Sequence, residues 1–188
     1  GKLTYPDGSV YVGALVKDRP EGQGKITYAD GSSYEGDWVA GGIGGQGRAT
    51  YADGSVYVGR FVDAKPDGSG EITFRDGYGY RGEWKAGVRQ GYGRAAYPDG
   101  SVYAGQFEAG LRQGKGRLVM PDGFSYVGDW KAGEIEGQGV AVYAGGDRYE
   151  GQFAGGKRQG KGKLVYKRGQ VAEGEWLNGI LVEAPEAA

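Results

Sequence analysis

Gly36-Asp37-Trp38, Gly82-Glu83-Trp84, Gly128-Asp129-Trp130 and Gly174-Glu175-Trp176 recur every 46 residues, and Gly-x-Phe triplets fall midway between them. The underlying unit is therefore 23 residues long, with copies starting at Tyr11, Tyr34, Tyr57, Tyr80, Tyr103, Tyr126, Tyr149 and, degenerate, Ala172. A fixed period of this length marks units that bury their faces only against neighbouring copies, so the chain reads as one array over residues 1–182 with a tail at 183–188. Dividing its length by the size of an average domain would give the wrong organisation.

Each copy encodes two strands. In the copy that opens at Tyr34, Tyr34, Gly36 and Trp38 alternate with Glu35, Asp37 and Val39, the period of a half-buried strand. A second alternation runs from about Gly45 to Tyr51. Asp53-Gly54 then gives the two-residue signal of a tight turn, as do Asp7-Gly8, Asp30-Gly31, Asp76-Gly77, Asp99-Gly100 and Asp122-Gly123. No stretch has helical spacing, and 42 glycines weigh against helices. The expectation is all-β: an elongated, single-layer antiparallel meander of about 16 strands, twisted and solenoid-like.

A single layer has no opposing sheet, so its core must come from its own side chains. All but three of the 15 Tyr, 5 Phe and 4 Trp residues occupy three repeat positions: the leading tyrosine, the Trp or Phe four residues later, and the ring closing the second strand. These share a face with the Gly-x-Gly positions, so rings can lie flat over bare backbone. The fifth and sixteenth positions of each copy also trade volume: Trp38 goes with Ala49, Phe61 with Ile72, Trp84 with Ala95, Phe107 with Leu118 and Trp130 with Ala141. Exchange of this kind predicts a contact between those two positions.

The pattern Tyr-x-Gly-x-Trp-x-x-Gly-x-x-x-Gly-x-Gly-x-x-x-Tyr-x-Asp-Gly resembles the MORN (membrane occupation and recognition nexus) repeat, over essentially the whole chain. Lys85 to Gly93 is close to that family's linker. One departure lies before the turn's second glycine, where the family often has His and this chain has Glu21, Gly44, Asp67, Gln90, Gln113, Glu136 and Gln159. The resemblance implies a protein-interaction scaffold, association through terminal repeats as a homodimer, and, as the family name suggests, an alternative role as a membrane-associated adaptor for anionic lipid headgroups.

The array starts inside a hairpin at full repeat quality, which reads as amino-terminal truncation, whereas Ala172 and Lys167-Arg168-Gly169 read as a degraded carboxyl-terminal cap. There is no His, no Cys and no spanning apolar run, which removes the usual nucleophile–base pairs, zinc sites and disulfides. The chain therefore reads as a non-enzyme without cofactor or metal, soluble or peripheral, in a compartment the sequence does not specify. A net charge of −1 argues against nucleic acid.

Binding remains, and the candidate partner is a protein segment in an aromatic groove. The three rings outside scaffold positions, Tyr78, Tyr92 and Phe124, are candidate contacts together with Trp84 and Trp130. The terminal strand, with Trp176, Ile180, Leu181 and Val182, is a candidate dimer edge. Lys157, Arg158, Lys161 and Lys163 form a candidate patch for anions or lipid.

Overall fold

A computed structural model describes residues 1–183, so the tail read from the sequence lies outside the described residues save for the backbone of Glu183. The chain divides into two compact units, residues 1–95 and residues from 96 on. The first holds β1 (Lys2–Thr4), β2 (Val10–Val16), β3 (Arg19–Thr27), β4 (Ser33–Val39), β5 (Gly42–Thr50), β6 (Val56–Val62), β7 (Lys65–Thr73), β8 (Gly79–Lys85) and β9 (Val88–Ala96). The second holds β10 (Val102–Glu108), β11 (Leu111–Val119), β12 (Ser125–Lys131), β13 (Glu134–Val142), β14 (Arg148–Ala154), β15 (Lys157–Val165), β16 (Val171–Leu177) and β17 (Ile180–Glu183). Within each unit, strands consecutive in the chain pair antiparallel, giving the all-β meander that the alternation predicts. Among the described residues the count is seventeen because the partial copy at the amino end contributes β1. No helix among the described residues is long and apolar enough to cross a membrane.

The strands are joined by two kinds of turn, and the tight one is not at Asp-Gly. Ala40 and Gly41 both have positive φ, 50° and 86°, as do Ala86-Gly87 and Ala132-Gly133; this is the two-residue hairpin turn whose twist matches the strands. At Asp53-Gly54 only the glycine has positive φ, 87°. There the Gly54 amide donates to Tyr51 O at 2.9 Å and the Tyr51 amide to Ser55 O at 2.9 Å, a longer loop ending in a glycine bulge. Asp53 is needed for its side chain. Its Oδ1 accepts from the Ser55 amide at 2.8 Å and from the Ser55 hydroxyl at 2.6 Å, which fixes the loop without demanding left-handed backbone from the aspartate.

Each hairpin also carries a bulge. Gly36 pairs with Gly47 but Trp38 with Ile43, so one residue on β4 faces three on β5. The bulged backbone would leave an amide unpaired. Asp37 supplies the acceptor, taking the Gln46 amide at 2.8 Å, and Glu83, Asp129 and Gln152 do the same for Tyr92, Gln138 and Lys161. The residues standing where the family often has His are used as well. Glu21, Asp67, Gln113, Glu136 and Gln159 accept from the first amide of the following tight turn, at Ala40, Ala86, Ala132, Gly155 and Asn178.

The core is a ladder of rings on one face. Tyr126 shows the unit: its hydroxyl donates to Asp129 O at 2.8 Å and its ring covers Gly139, where an added Cβ would overlap the ring. All seven leading tyrosines are fully removed from solvent. Within the units each ladder tyrosine meets Trp or Phe edge-to-face, as in Tyr34 with Trp38 and Phe61 or Tyr126 with Trp130 and Phe153, at centroid separations of 4.9 to 5.6 Å. Such pairs add about 0.5–1.5 kcal/mol beyond the area they bury.

The contact that the volume exchange suggests, between the fifth and sixteenth positions of one copy, is not the one the ring packing makes. Trp38 leans back over the preceding copy, its indole N–H donating to Gly24 O at 2.9 Å and its ring held between Tyr11 and Tyr34. Those two tyrosines stand opposite Ile26, whereas Ala49 stands opposite Tyr34 and Tyr57, the pair that clasps Phe61. The bulge displaces the ring from its own copy's second strand. The smaller residue at the sixteenth position thus lies under the following Phe, not beside its own Trp.

Candidate functional site

The ring-bearing face is built in two tiers. The ladder forms a buried floor, and the rings closing each second strand stand above it partly in solvent: Tyr28, Tyr51 and Tyr166 are 36%, 37% and 41% exposed. Burial pushes the hydroxyls of Tyr34, Tyr57, Tyr80 and Tyr149 up to about 12 and raises that of Tyr126 as well, so the floor is neutral at any ordinary pH.

In the first unit this face opens into a cavity of about 320 Å³ lined by Ile72, Phe74, Asp76, Tyr78, Trp84, Gly87 and Arg89. Tyr78 occupies a position that holds serine in several copies. Its amide still donates to Asp76 Oδ1 at 2.9 Å, but its ring turns onto Phe74, 5.5 Å between centroids. The Arg89 guanidinium lies 5.5 Å from the Tyr78 ring and 5.8 Å from Tyr80, and donates to the Tyr78 hydroxyl. Trp84 forms the back wall. It is buried, with its N–H on Gly70 O at 3.0 Å.

In the second unit Phe124 repeats the Tyr78 substitution, its amide on Asp122 at 2.9 Å and its ring 5.8 Å from Tyr143. Trp130 is buried like Trp84. Two arginines lie over this face. Arg112 stacks 4.6 Å from the Trp130 ring and 5.8 Å from both Tyr97 and Tyr103; Arg158 lies 4.8 Å from Trp176 and 5.4 Å from Tyr143.

Tyr92 stands apart from the other candidate contacts. It is 62% exposed on the opposite, polar face, where its amide donates to Glu83 at 2.6 Å. The basic cluster is likewise divided: Lys161 stands opposite Glu175, Lys163 between Glu150 and Glu173, while Arg158 belongs to the ring face. Of the terminal residues, Trp176 is core, its ring 5.6 Å from Tyr149 and its N–H on Gly162 O at 2.9 Å. Ile180 and Val182 of β17 are 66% and 59% exposed, and Leu181 is half-buried opposite Trp176.

The turn and bulge carboxylates are committed to the backbone. The Ser hydroxyls and amides beside Asp7, Asp30 and Asp53 hold those acids below the usual range, and at Asp99 the Ser101 amide does so first. No group of His, Cys, Asp and Glu among the described residues is arranged to hold a metal ion. The placement of the arginines on the ring face is not legible in the sequence because the Gly-rich stretch Gly41 to Gly45 reads as turn, whereas β5 already begins at Gly42. Counting the alternation back from Ala49 through that stretch would have placed the tenth residue of each copy among the rings.

The family model for the MORN repeat matches residues 1–10, 11–33, 34–56, 57–77, 80–102, 103–125, 126–148 and 149–171. No curated protein sequence matches the chain. Among solved structures, the wild-type TCP10 domain of Danio rerio CPAP is similar in fold, at 15% identity over 93% of this chain and 83% of that chain, with a TM-score of 0.54. The SAS-4 (dCPAP) TCP domain of Drosophila melanogaster, solved with a proline-rich motif of Ana2 (dSTIL), aligns at 14% identity over 92% of this chain and 81% of that chain, with a TM-score of 0.44.

Proposed function

The chain belongs to the MORN-repeat family, and from the geometry of its ring-bearing face we propose that it is a non-catalytic scaffold that binds a protein segment along that face. The observation that carries this reading is the second tier of half-exposed rings above a closed floor, deepened by the cavity at Tyr78 and Arg89. Apolar surface gathered on one face and rimmed by polar turns is the kind of surface that partners cover. The absence of His and Cys from the sequence, together with the engagement of turn and bulge carboxylates by backbone amides, leaves little for acid–base or nucleophilic work.

Selection from a displayed library of twelve-residue peptides tests the reading. Binders should lose affinity with Tyr78→Ala or Phe124→Ala and keep it with Tyr92→Ala, because Tyr92 lies on the opposite face. Peptides insensitive to both ring-face changes, or no enrichment at all, would sink it.

A second surface is favoured by β17, whose Ile180 and Val182 are the most exposed apolar side chains of the terminal hairpin. We read it as an edge for antiparallel pairing with a second copy. Light scattering should give a concentration-dependent dimer that Ile180→Lys with Val182→Lys abolishes. A monomer at every concentration removes this reading and leaves the ring face untouched.

A further inference from the structure

Arg112 and Arg158 are half-buried cations without a counter-ion. The ion pairs of Lys115 with Asp129 and of Arg148 with Glu150 include neither of these arginines. Of the five N–H donors on each guanidinium, the protein takes one. Arg112 donates to Gly133 O at 2.8 Å and Arg158 to Gly179 O at 2.6 Å. The Arg158 Nε, closed off from solvent, has no acceptor at all. Each residue is also gripped from behind, its own carbonyl accepting from the amide of the same glycine at 2.9 Å. The forks are thus pinned between a tight turn and a tryptophan face, with their orientation fixed before any ligand arrives.

Holding a guanidinium partly out of water without an anion is unfavourable, and stacking on Trp offsets only part of that cost. The equivalent positions ahead of Trp38 and Trp84 in the first unit hold Pro20 and Pro66. Packing against Trp therefore does not require arginine. What Arg112 and Arg158 add over their tryptophans is charge, in a geometry suited to the two oxygens of a carboxylate, whereas Arg89 of the first unit, at the same repeat position, donates to the Tyr78 hydroxyl.

We propose that the ring face of the second unit binds an acidic protein segment in extended conformation, with one carboxylate on Arg112 and another on Arg158. This rests on the scaffold reading above and names the chemistry of its ligand. Arg112 lies on β11 and Arg158 on β15, four strand spacings apart, which amounts to ~19 Å at the usual inter-strand distance. An extended chain rising about 3.3 Å per residue crosses that distance in roughly six residues, and residues six apart point to the same side. The matching ligand thus carries Asp or Glu at the first and seventh positions. Apolar residues at its third and fifth positions would straddle Ile135, which stands midway on β13.

The test uses the full chain and a fluorescent peptide, Glu-Ser-Leu-Ser-Leu-Ser-Glu, followed by anisotropy. It is compared with the peptide having Gln at both ends and with one whose two Glu are four residues apart. Binding of the first should exceed the Gln peptide at least tenfold and should fall at least tenfold in Arg112→Met with Arg158→Met. The double Lys variant, which keeps the charge and loses the fork, should recover only part of that loss. Thermal melts of each variant show whether the fold is retained, and the Gln peptide reports the charge-independent part of binding. Equal binding of Glu and Gln peptides would overturn the acidic ligand while leaving the ring face as a binding surface. Capture on phosphatidylserine vesicles that depends on both arginines, with no response to the Glu peptide, would overturn it in favour of lipid. If no peptide binds, this inference fails, and the library selection decides the broader reading separately.

Discussion

Replacing Ala141 by leucine asks which ring a sixteenth-position side chain touches. Ala141 is wholly buried and stands opposite Tyr126 and Tyr149, the two rings that clasp Phe153 at 5.3 and 5.0 Å. Three added carbons have no free space there, and overpacking of this kind costs about 1–3 kcal/mol. For a chain of this length each kcal/mol lowers Tm by about 2–4 °C. Phe153→Leu alone costs roughly 1–2 kcal/mol for the volume removed. If the larger side chain introduced by Ala141→Leu competes with the Phe153 ring for one space, the double variant should be at least ~1 kcal/mol more stable than the sum of the single effects. Trp130→Phe combined with Ala141→Leu should show no such gain, because Trp130 lies over the preceding copy with its N–H on Gly116 O. Guanidinium denaturation of both cycles reads the coupling directly. Rescue by Trp130→Phe and not by Phe153→Leu would refute the arrangement and restore the contact within one copy.

Gly139→Ala should cost about 3 kcal/mol or more in the same assay, since its Cβ would enter the Tyr126 ring, whereas Gly133→Ala, with φ at 88° and open space around it, should cost only about 1 kcal/mol; equal losses would contradict the close approach. Gly44→Gln should stabilise by about 0.5–1.5 kcal/mol, because it restores the acceptor other copies offer to the next turn's first amide, and its Cβ meets nothing nearer than Val39 at 3.9 Å; a lower Tm would count against that role. Tyr34, Tyr57, Tyr80 and Tyr149 hold their protons up to about 12 when folded, against an ordinary value of 10.0. Their stabilisation is complete below pH 10 and falls as pH rises toward 12, by up to ~2–3 kcal/mol each. Four such losses together reach typical fold stabilities of about 5–15 kcal/mol, so unfolding and tyrosinate absorbance should appear together between pH 10 and 12; smooth titration near pH 10 with strand content intact would contradict this.

The repeat length, the strand alternation and the tyrosine-over-glycine core were legible because each depends on residue type at fixed spacing. Tyr126 over Gly139 follows from parity alone. The direction in which Trp38 leans was not legible, since it depends on a bulge that inserts extra residues opposite Asp37 and moves the ring out of its own copy's register. Turn types were half legible: glycine marks both, but Asp53 acts through its side chain and Ala40 through a left-handed backbone that its sequence does not announce. The ring-face role of the arginines was hidden because Arg112 looked like scattered charge in a neutral chain and Arg158 like one member of a basic cluster until β11 and β15 placed both on tryptophans.

The most direct measurement follows the four indole N–H resonances in a nitrogen-15 spectrum while the Glu-Ser-Leu-Ser-Leu-Ser-Glu peptide is added. Trp38 and Trp84 follow Pro20 and Pro66, and Trp130 and Trp176 lie beneath Arg112 and Arg158. The expected result is saturable movement of the Trp130 and Trp176 signals while Trp38 and Trp84 stay in place. Movement of all four alike, or of none while the peptide binds, would contradict binding on the arginine-bearing ring face.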